Sequence, residues 1–318
     1  MRIEKAAIVG KGALGLLYAD CIARTLGSEA VCFVMDEGRI VRHAGETTTI
    51  NGAARAFRTA TPADAGGVDL VLFAVKAPAL ESAMELAAPL VHDGTIVVSV
   101  LNGVTSEERL AARFGWERVV PCVAQGMDAM RFGSTVTYSR AGNLHIGLFP
   151  QTDPSALEAV RDFFDRAGIG QVVEADIRHR MWAKFMGNVG LNQVCAAYGV
   201  NYAALLESER AQAAGSTDPT TAPWRAYIAA MREVIAVGQA EGVDVGESDL
   251  ADMVGILRSL DPQSTPSMGQ DVINHAPTEV DEFSGVMMRL GRKHGLPVPT
   301  NEWLNARIKE IEAGYRHR

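Results

Sequence analysis

The amino-acid sequence predicts an α/β fold, in which an N-terminal Rossmann-type doubly wound parallel sheet is followed by a C-terminal all-helical domain. Up to about residue 176, apolar runs that do not alternate with polar residues are separated by helical patterns, as in parallel strands covered on both faces. A glycine-rich turn follows the first run and opens the first helix. From about residue 177, long helical patterns dominate. We therefore predict domains at residues 1–176 and 177–318.

The predicted elements of the first domain come in the order of strand–helix–strand units. The five predicted strands are KAAIVG, AVCFVM, VDLVLFAVK, GTIVVSVLNG and RVVPCVAQ, and the first helices are GKGALGLLYADCIARTLG and LESAMELAAPL. FGSTVTYSRAGNLHIGLF alternates like antiparallel edge strands, and a helix (PSALEAVRDFFDRAG) and a strand (GQVVEA) close the domain. The second domain is predicted to have helices at 181–198, 224–241, 247–259, 278–294 and 300–313, with a loop at 211–223.

Composition and charge limit the classes of function. The 318 residues include 30 basic and 38 acidic side chains, a formal charge of −8, which argues against general nucleic-acid binding. No segment approaches the roughly 20 apolar residues that span a bilayer. Four scattered cysteines without a CxxC pair predict reduced thiols and a cytoplasmic protein. The seven histidines show no paired ligand spacing, so we predict no metal site.

The segment GKGALG has the GxGxxG spacing of a dinucleotide-binding turn. The first glycine permits the turn, the second lets a pyrophosphate approach the backbone, and the third lets helix and strand pack closely. The N–H groups at the start of the helix then face the phosphates. The predicted cofactor-binding residues here are Gly10, Lys11, Gly12, Ala13, Leu14 and Gly15.

Three further residues follow predicted strands, where the ligand crevice of such a sheet lies. Asp36 is 21 residues beyond Gly15 (36 − 15), and a carboxylate there typically binds the adenosine ribose of NAD; it could also simply cap a helix. Lys76 and Asn102 end the third and fourth strands. The lysine could instead reach out to solvent and the asparagine could belong to a turn, but their shared sheet edge favours roles in cofactor binding.

The second domain supplies the candidate catalytic residues. Lys184, Asn188 and Asn192 are four residues apart and share one face of a predicted helix that is otherwise apolar. A lysine near apolar surface loses solvation, which lowers its pKa and suits it to donate a proton to a ketone oxygen as hydride reaches the carbon. Ser264, Thr265 and Ser267 could cap the next helix or bind a carboxylate, and Glu279 begins a further helix.

These motifs, in order, resemble those of the ketopantoate reductases (2-dehydropantoate 2-reductases). The resemblance rests on GKGALG, Lys76, the NG pair at 102, WAKFMGNVGLNQ and the PSMGQDV…PTEVDEFSG block, and it covers nearly the whole chain. It implies reduction of 2-dehydropantoate, a small 2-oxo acid, to (R)-pantoate with NADPH in pantothenate biosynthesis.

The resemblance also implies residue roles. It makes Lys184 the general acid, places Glu279 where nicotinamide, substrate and lysine meet, and puts Lys76 on the cofactor side. The implied substrate-binding residues are Asn102 (also on the cofactor side), Asn188, Asn192, Asn201 and Ser267. The family commonly has arginine where Asp36 stands, so the resemblance favours NADP while Asp36 keeps NAD open. Leu101 and the pair Thr265–Pro266 also depart from the family pattern.

Two alternatives remain at this point. One is a related NAD(P)-dependent dehydrogenase for another 2-oxo or hydroxy acid, or an opine-type enzyme, on the same architecture. The other is a dinucleotide-sensing protein without catalysis, although a sensor has no need of a lysine beside the nicotinamide. Apolar helices such as YIAAMREVIAVGQA leave a homodimer possible.

Overall fold

A parallel β-sheet forms the centre of the first of two units in the chain. The computed structural model describes residues 1–211 and 222–317, and the chain separates into the units Met1–Arg180 and Met181–Arg318. The predicted loop at 211–223 lies almost entirely outside the described residues. The predicted domain boundary at residue 176 stays a prediction.

The strands and helices of the first unit alternate along most of its length. The strands are β1 (Ala6–Val9), β2 (Val31–Val34), β3 (Thr48–Ile50), β4 (Ala53–Arg55), β5 (Arg58–Ala60), β6 (Leu70–Phe73), β7 (Ile96–Ser99), β8 (Val119–Val120), β9 (Cys122–Met127), β10 (Met130–Phe132), β11 (Thr135–Thr137), β12 (Ala141–Ile146) and β13 (Gln171–Val173). The helices are α1 (Ala13–Leu26), α2 (Glu37–His43), α3 (Pro62–Ala65), α4 (Leu80–Ala87), α5 (Ser106–Phe114) and α6 (Pro154–Arg166), and short 3₁₀ turns lie at Ser28–Ala30, Ala77–Ala79, Ala88–Leu90 and Trp116–Arg118.

The central sheet has the strand order β5-β2-β1-β6-β7-β8, and every pairing in it is parallel. The predicted Rossmann-type doubly wound sheet is therefore confirmed. Along β1, Ile8 belongs to the same buried core as Leu17 of α1 and Phe163 of α6. Its neighbour Val9 belongs to a second buried core, which includes Met84 of α4. Because both faces are covered, the strands are apolar without alternation.

Two smaller sheets flank the central one, and the sequence prediction was incomplete here. Their strand orders are β10-β11-β3-β4 and β13-β12-β9. The predicted single strand RVVPCVAQ is wrong, because Pro121 lacks the N–H that would continue the ladder. The chain leaves the parallel sheet after β8, and β9 pairs antiparallel with β12. The edge strand β5 was not predicted, since Arg58–Ala60 contains no apolar run.

The second unit is helical, as predicted. Its helices are α7 (Ile177–Gly187, which begins in the first unit), α8 (Gln193–Tyr198), α9 (Tyr202–Arg210), α10 (Pro223–Ala240), α11 (Glu247–Ser259), α12 (Ser267–Ile273), α13 (Val286–His294) and α14 (Pro299–Ala313), followed by a 3₁₀ turn at Gly314–His317. Two π-helical segments, Asn188–Asn192 and Asp281–Gly285, precede α8 and α13. In the part of the chain that the structure describes, no helix is long and apolar enough to cross a membrane.

A buried polar network joins the helices around the two π-helical segments. Gln193 Nε2 donates to Asn301 Oδ1 at 3.2 Å, and Gln193 Oε1 accepts from Ser284 N at 3.0 Å. Asn305 Nδ2 donates to Ser284 Oγ at 3.0 Å. The carboxylate of Glu233 accepts from the backbone and side-chain nitrogens of Asn301 at the start of α14, where an acid also complements the helix dipole. The network therefore fixes how α8, α10, α13 and α14 pack together.

Replacement of Gln193 tests the importance of this network. Gln193, Ser284 and Asn301 are fully buried, so Gln193→Ala leaves the Ser284 N–H and the Asn301 oxygen without these bonds. We expect the free energy of unfolding to fall by about 2–4 kcal/mol, measured by urea unfolding of the full chain. Gln263→Ala, at an exposed position, is the control and should change it by less than about 0.5 kcal/mol. If Gln193→Ala and Gln263→Ala lowered the free energy of unfolding equally, the stabilising role of the network would be contradicted.

Candidate active site

The glycine loop between β1 and α1 is shaped by close backbone contacts. Gly10 has φ +117°, and a Cβ atom there would overlap the carbonyl oxygen of Ala74, while a Cβ at Gly15 would overlap the carbonyl oxygen of Gly10. The fold itself therefore requires glycine at both positions. At Gly12, by contrast, a Cβ would lie 3.7 Å from its nearest atom, the Ala74 oxygen. The protein's own packing leaves room for a side chain at Gly12, so the glycine there is best explained by a ligand that approaches the backbone.

The start of α1 offers backbone N–H groups to such a ligand. Gly12 is the N-cap residue, and the first bond of the helix runs from Leu16 N to Gly12 O at 3.0 Å. The N–H groups of Ala13, Leu14 and Gly15 therefore precede the intrahelical hydrogen bonds. Together with the positive end of the helix dipole, they favour an anion such as a pyrophosphate. The loop residues predicted from the sequence fit a dinucleotide.

Lys11 belongs to a charged cluster that the sequence did not reveal. Its Nζ atom lies 3.3 Å from Glu46 Oε2, and the guanidinium of Arg131 donates to the Lys11 carbonyl oxygen. His43 Nδ1 is 2.6 Å from the same carboxylate oxygen. The hydrogen bond from His43, and then that from Lys11, lower the pKa of Glu46. Arg131 is 120 positions from Lys11, so no local pattern could have connected them. The cluster places basic side chains directly at the glycine loop.

Asp36, Lys76 and Asn102 follow the neighbouring strands β2, β6 and β7 of the sheet order β2-β1-β6-β7. Their places at the carboxyl ends of parallel strands bring them to the edge that carries the glycine loop. Asp36 caps α2: its Oδ1 accepts from Arg39 N at 2.8 Å, and its Oδ2 lies 3.4 Å from Arg39 Nε. The capping alternative is thus realised, while the carboxylate remains 54% exposed and open to a ligand.

A buried hydrogen-bond chain supports the loop that carries Asn102. Leu101 N donates to Ser99 Oγ at 3.2 Å, Ser99 Oγ to Ser106 Oγ at 3.0 Å, and Ser106 Oγ to Glu107 Oε2 at 2.9 Å. Burial raises the pKa of Glu107 to about 7. The chain fixes the backbone immediately before Asn102. Sequence reasoning missed it because two serines and a glutamate at a helix start are ordinary surface residues.

In the second unit, the predicted polar face lies where α7 passes into the first π-helical segment. Lys184 is in the last turn of α7, and Asn188 and Asn192 are the first and last residues of the π-helical segment. Asn192 Nδ2 donates to Asn188 Oδ1 at 3.4 Å, so the two amides are neighbours. Among the described residues, the buried Nδ2 atom of Asn188 has no hydrogen-bond partner. Since buried polar groups are normally paired and π-helical segments are frequent at functional sites, this face is a candidate ligand site.

The remaining predicted residues take different positions in the second unit. Ser267 is exposed and is the first residue of α12, where Pro266 occupies the N-cap position without a side-chain bond. The alternative that one of the hydroxyls caps this helix is therefore wrong. Glu279 precedes the second π-helical segment, and its carbonyl accepts from Glu282 N at 2.9 Å. Asn201 Oδ1 accepts from Ala204 N at 2.9 Å, so Asn201 caps α9 in addition to any role toward substrate.

All four cysteines are free thiols; Cys32, Cys122 and Cys195 are buried, whereas Cys21 is only partly buried. Burial raises the pKa of Cys195 to about 12. Within residues 1–211 and 222–317, no three or more His, Cys, Asp or Glu side chains are grouped so that they could hold a metal ion.

The parallel sheet with its glycine loop, followed by a helical unit, is the architecture of a Rossmann-type dinucleotide-binding protein. The chain belongs to the ketopantoate reductase family. The family model described as Ketopantoate reductase PanE/ApbA matches residues 6–151, and the one described as Ketopantoate reductase PanE/ApbA C terminal matches residues 176–312.

The names of similar proteins support this family membership. A 2-dehydropantoate 2-reductase of Halobacterium salinarum is 26% identical over 303 residues, which is 93% of this chain and 94% of the relative. The crystal structure of 2-dehydropantoate 2-reductase from Geobacter metallireducens has a TM-score of 0.80 at 26% identity and covers 96% of this chain and 99% of that one. The ternary structure of D-mandelate dehydrogenase with NADH and anilino(oxo)acetate has a TM-score of 0.84 at 21% identity and covers 98% of this chain and 99% of that one. This likeness shows a shared fold.

Substitutions of two loop glycines separate ligand binding from folding. Gly12 has φ −86°, which alanine adopts readily, so Gly12→Ala should change the free energy of unfolding by less than about 1 kcal/mol. The added methyl group meets the approaching pyrophosphate, and we expect dinucleotide affinity to fall at least about tenfold. Gly15→Ala should instead destabilise the fold by at least about 2 kcal/mol. Fluorescence titration and urea unfolding measure the two effects; unchanged dinucleotide affinity in Gly12→Ala would refute the predicted contact.

Proposed function

We propose that the protein is a 2-dehydropantoate 2-reductase, which reduces the ketone of 2-dehydropantoate with NADPH to (R)-pantoate on the route to pantothenate. Membership of the ketopantoate reductase family and the names of its relatives support this proposal. The observation that carries it is the pair of neighbouring amides Asn188 and Asn192, one with an unpaired buried N–H, in the π-helical segment that directly follows the last turn of α7 with Lys184. Such a face suits a small substrate that bears several oxygen atoms.

The chemistry follows from the donors on this face. When bound, the nicotinamide supplies a hydride to the ketone carbon. In the proposal, Lys184 donates a proton to the ketone oxygen, which prevents the build-up of alkoxide charge. Asn188 and Asn192 orient the substrate through its oxygens, and the exposed hydroxyl of Ser267 donates to the substrate carboxylate. Glu279 is assigned to the place where nicotinamide, substrate and lysine meet.

The cofactor assignment rests on residues of the first unit. The backbone at Gly12 and the N-terminus of α1 would receive the pyrophosphate, with Lys76 and Asn102 on the cofactor side. We propose NADPH as the preferred cofactor, with NADH as a weaker substitute. Both carboxylate oxygens of Asp36 lie close to Arg39 nitrogens, which reduces the repulsion that a lone carboxylate would exert on a 2′-phosphate. Arg39 itself is half exposed and offers a phosphate its guanidinium.

The proposal also covers the cellular location and the partners of the enzyme. The four free thiols support a reducing, cytoplasmic location. A small-molecule substrate suffices for the chemistry, and neither nucleic acid nor a membrane is required. A homodimer stays a prediction.

Replacement of Lys184 tests the proposed general acid. We expect Lys184→Ala to lower kcat with 2-dehydropantoate by at least about 10²-fold, because the proton donor is lost. Lys184→Arg should be as slow, since a guanidinium keeps its charge but does not release its proton. The dissociation constant for NADPH, measured by fluorescence titration, should change by less than about threefold in both variants. Ethylammonium in the buffer should restore part of the activity of Lys184→Ala but not that of Lys184→Arg.

The matched control is Lys293→Ala, which removes an exposed ammonium that pairs with Glu241 at 2.6 Å in the same unit. This variant should keep the wild-type kcat. Loss of activity in the Lys293 variant equal to that in the Lys184 variants, or full activity of Lys184→Ala, would remove the basis of the mechanism.

A further inference from the structure

The charged cluster at the glycine loop holds more positive than negative charge. The Lys11 ammonium and the Arg131 guanidinium lie 3.3 Å and 3.9 Å from one carboxylate, that of Glu46. His43 Nδ1 is 2.6 Å from the same carboxylate and adds a third cation when it is protonated. The Lys11 side chain is only 10% exposed, so its charge acts where water screens it less than at the surface. The excess of positive charge favours a further anion at this place.

The cluster borders the place where this fold binds the adenosine ribose of a dinucleotide. That ribose lies between the glycine loop and the end of β2, which Asp36 follows. Lys11 belongs to the loop, and Glu46 connects it to His43, the last residue of α2. Because residues four apart share a helix face, Arg39 lies on the face of α2 that carries His43, one turn closer to Asp36. Basic side chains therefore border the ribose from the loop and from α2.

Within the cluster, the contact between Lys11 and Glu46 can be exchanged at low cost. It is longer than the contact of His43 with the same carboxylate oxygen, 3.3 Å against 2.6 Å. Glu46 would keep His43 and Arg131 as basic partners if the ammonium moved to another anion. The hydrogen bond from His43, and then that from Lys11, lower the pKa of Glu46, so its carboxylate is charged at neutral pH. A phosphate monoester, with about −1.5 to −2 charges and three acceptor oxygens, is the stronger partner for an ammonium.

We propose that the Lys11 ammonium selects NADPH by binding its 2′-phosphate, and that Glu46 holds this lysine until the phosphate displaces it. Arg39 approaches the same phosphate from α2. NADH carries a hydroxyl group in place of the phosphate, so it leaves Lys11 with Glu46 and gains nothing from the cluster. The inference rests on the proposed preference for NADPH. It accounts for a 2′-phosphate site in a chain where Asp36 stands at the position for which the resemblance implies arginine.

The test measures the dissociation constants of NADPH and NADH for the full-length protein by fluorescence titration. The two cofactors differ only in the 2′-phosphate, so the ratio of the two constants reports contacts with that group. The wild type should bind NADPH at least about tenfold more tightly than NADH. Lys11→Met keeps a side chain of similar length without its charge and should lower this preference at least about tenfold. Lys11→Arg should retain most of it, because a guanidinium also binds phosphate.

A matched control and a second variant accompany the substitutions of Lys11. Lys5→Met removes an exposed lysine just before β1, at the end of the strand opposite the glycine loop, and should change the preference by less than about twofold. Glu46→Gln removes the competing carboxylate and should raise the preference for NADPH at least about threefold. This gain guards against a folding defect in Lys11→Met, because loss of folded protein does not increase selectivity.

Several results would overturn the inference. If Lys11→Met weakens the binding of both cofactors equally, the ammonium acts on the pyrophosphate instead. The inference is also wrong if Lys11→Met leaves the preference unchanged, if Glu46→Gln lowers it, or if the wild type does not prefer NADPH. The proposed reaction is tested separately, by turnover of 2-dehydropantoate. Turnover without a preference for NADPH would refute the inference and leave the reaction standing, whereas the expected affinities without turnover would refute the reaction alone.

Discussion

The hydrogen bonds of Gln193 hold together the two helical runs that carry the candidate catalytic residues. Gln193 directly follows the π-helical segment of Asn188 and Asn192, and its side chain accepts from Ser284 N in the other π-helical segment, shortly after Glu279. Its amide nitrogen reaches both the Val189 carbonyl at 2.8 Å and Asn301. Because a buried amide without partners would cost free energy, these bonds disfavour any packing of the helices that separates Gln193 from Ser284 and Asn301. They therefore stabilise the arrangement in which the second unit presents the polar face.

The first unit imposes a comparable constraint with backbone contacts instead of side chains. Gly10 and Gly15 allow β1, α1 and the Ala74 carbonyl to meet without a side chain between them. That close packing fixes the N-terminus of α1, and the open approach at Gly12 lies directly beside it. The charged cluster of Lys11, Glu46, His43 and Arg131 then anchors the loop to residues that follow α2 and to β10. The position of the free N–H groups at the start of α1 is thus a consequence of how strand and helix pack.

The sequence predicted those features that local patterns determine. Apolar runs bounded by helical patterns located the parallel sheet, and the spacing of GKGALG located the turn before α1. The spacing of Lys184, Asn188 and Asn192 predicted a shared face, and the bond between the two amides is consistent with it. Features that depend on distant residues were missed, such as the contact of Arg131 with Lys11 and the pairing of Gln193 with Asn301. One local error has a local cause, because Pro121 divides a predicted strand. Of the two alternatives left open for the hydroxyls before α12, capping is ruled out because Pro266 takes the N-cap position.

The central claim, direct reduction of a 2-oxo acid by a nicotinamide cofactor bound to this chain, is tested most directly with isotopically labelled cofactor. The full-length protein is incubated in ordinary water with 2-dehydropantoate and NADPH that carries two deuterium atoms at C4 of the nicotinamide, and the product is analysed by mass spectrometry and NMR. Hydride transfer to the ketone carbon predicts pantoate with one deuterium at C2. Absence of product, or pantoate with hydrogen from water at C2, would contradict the account.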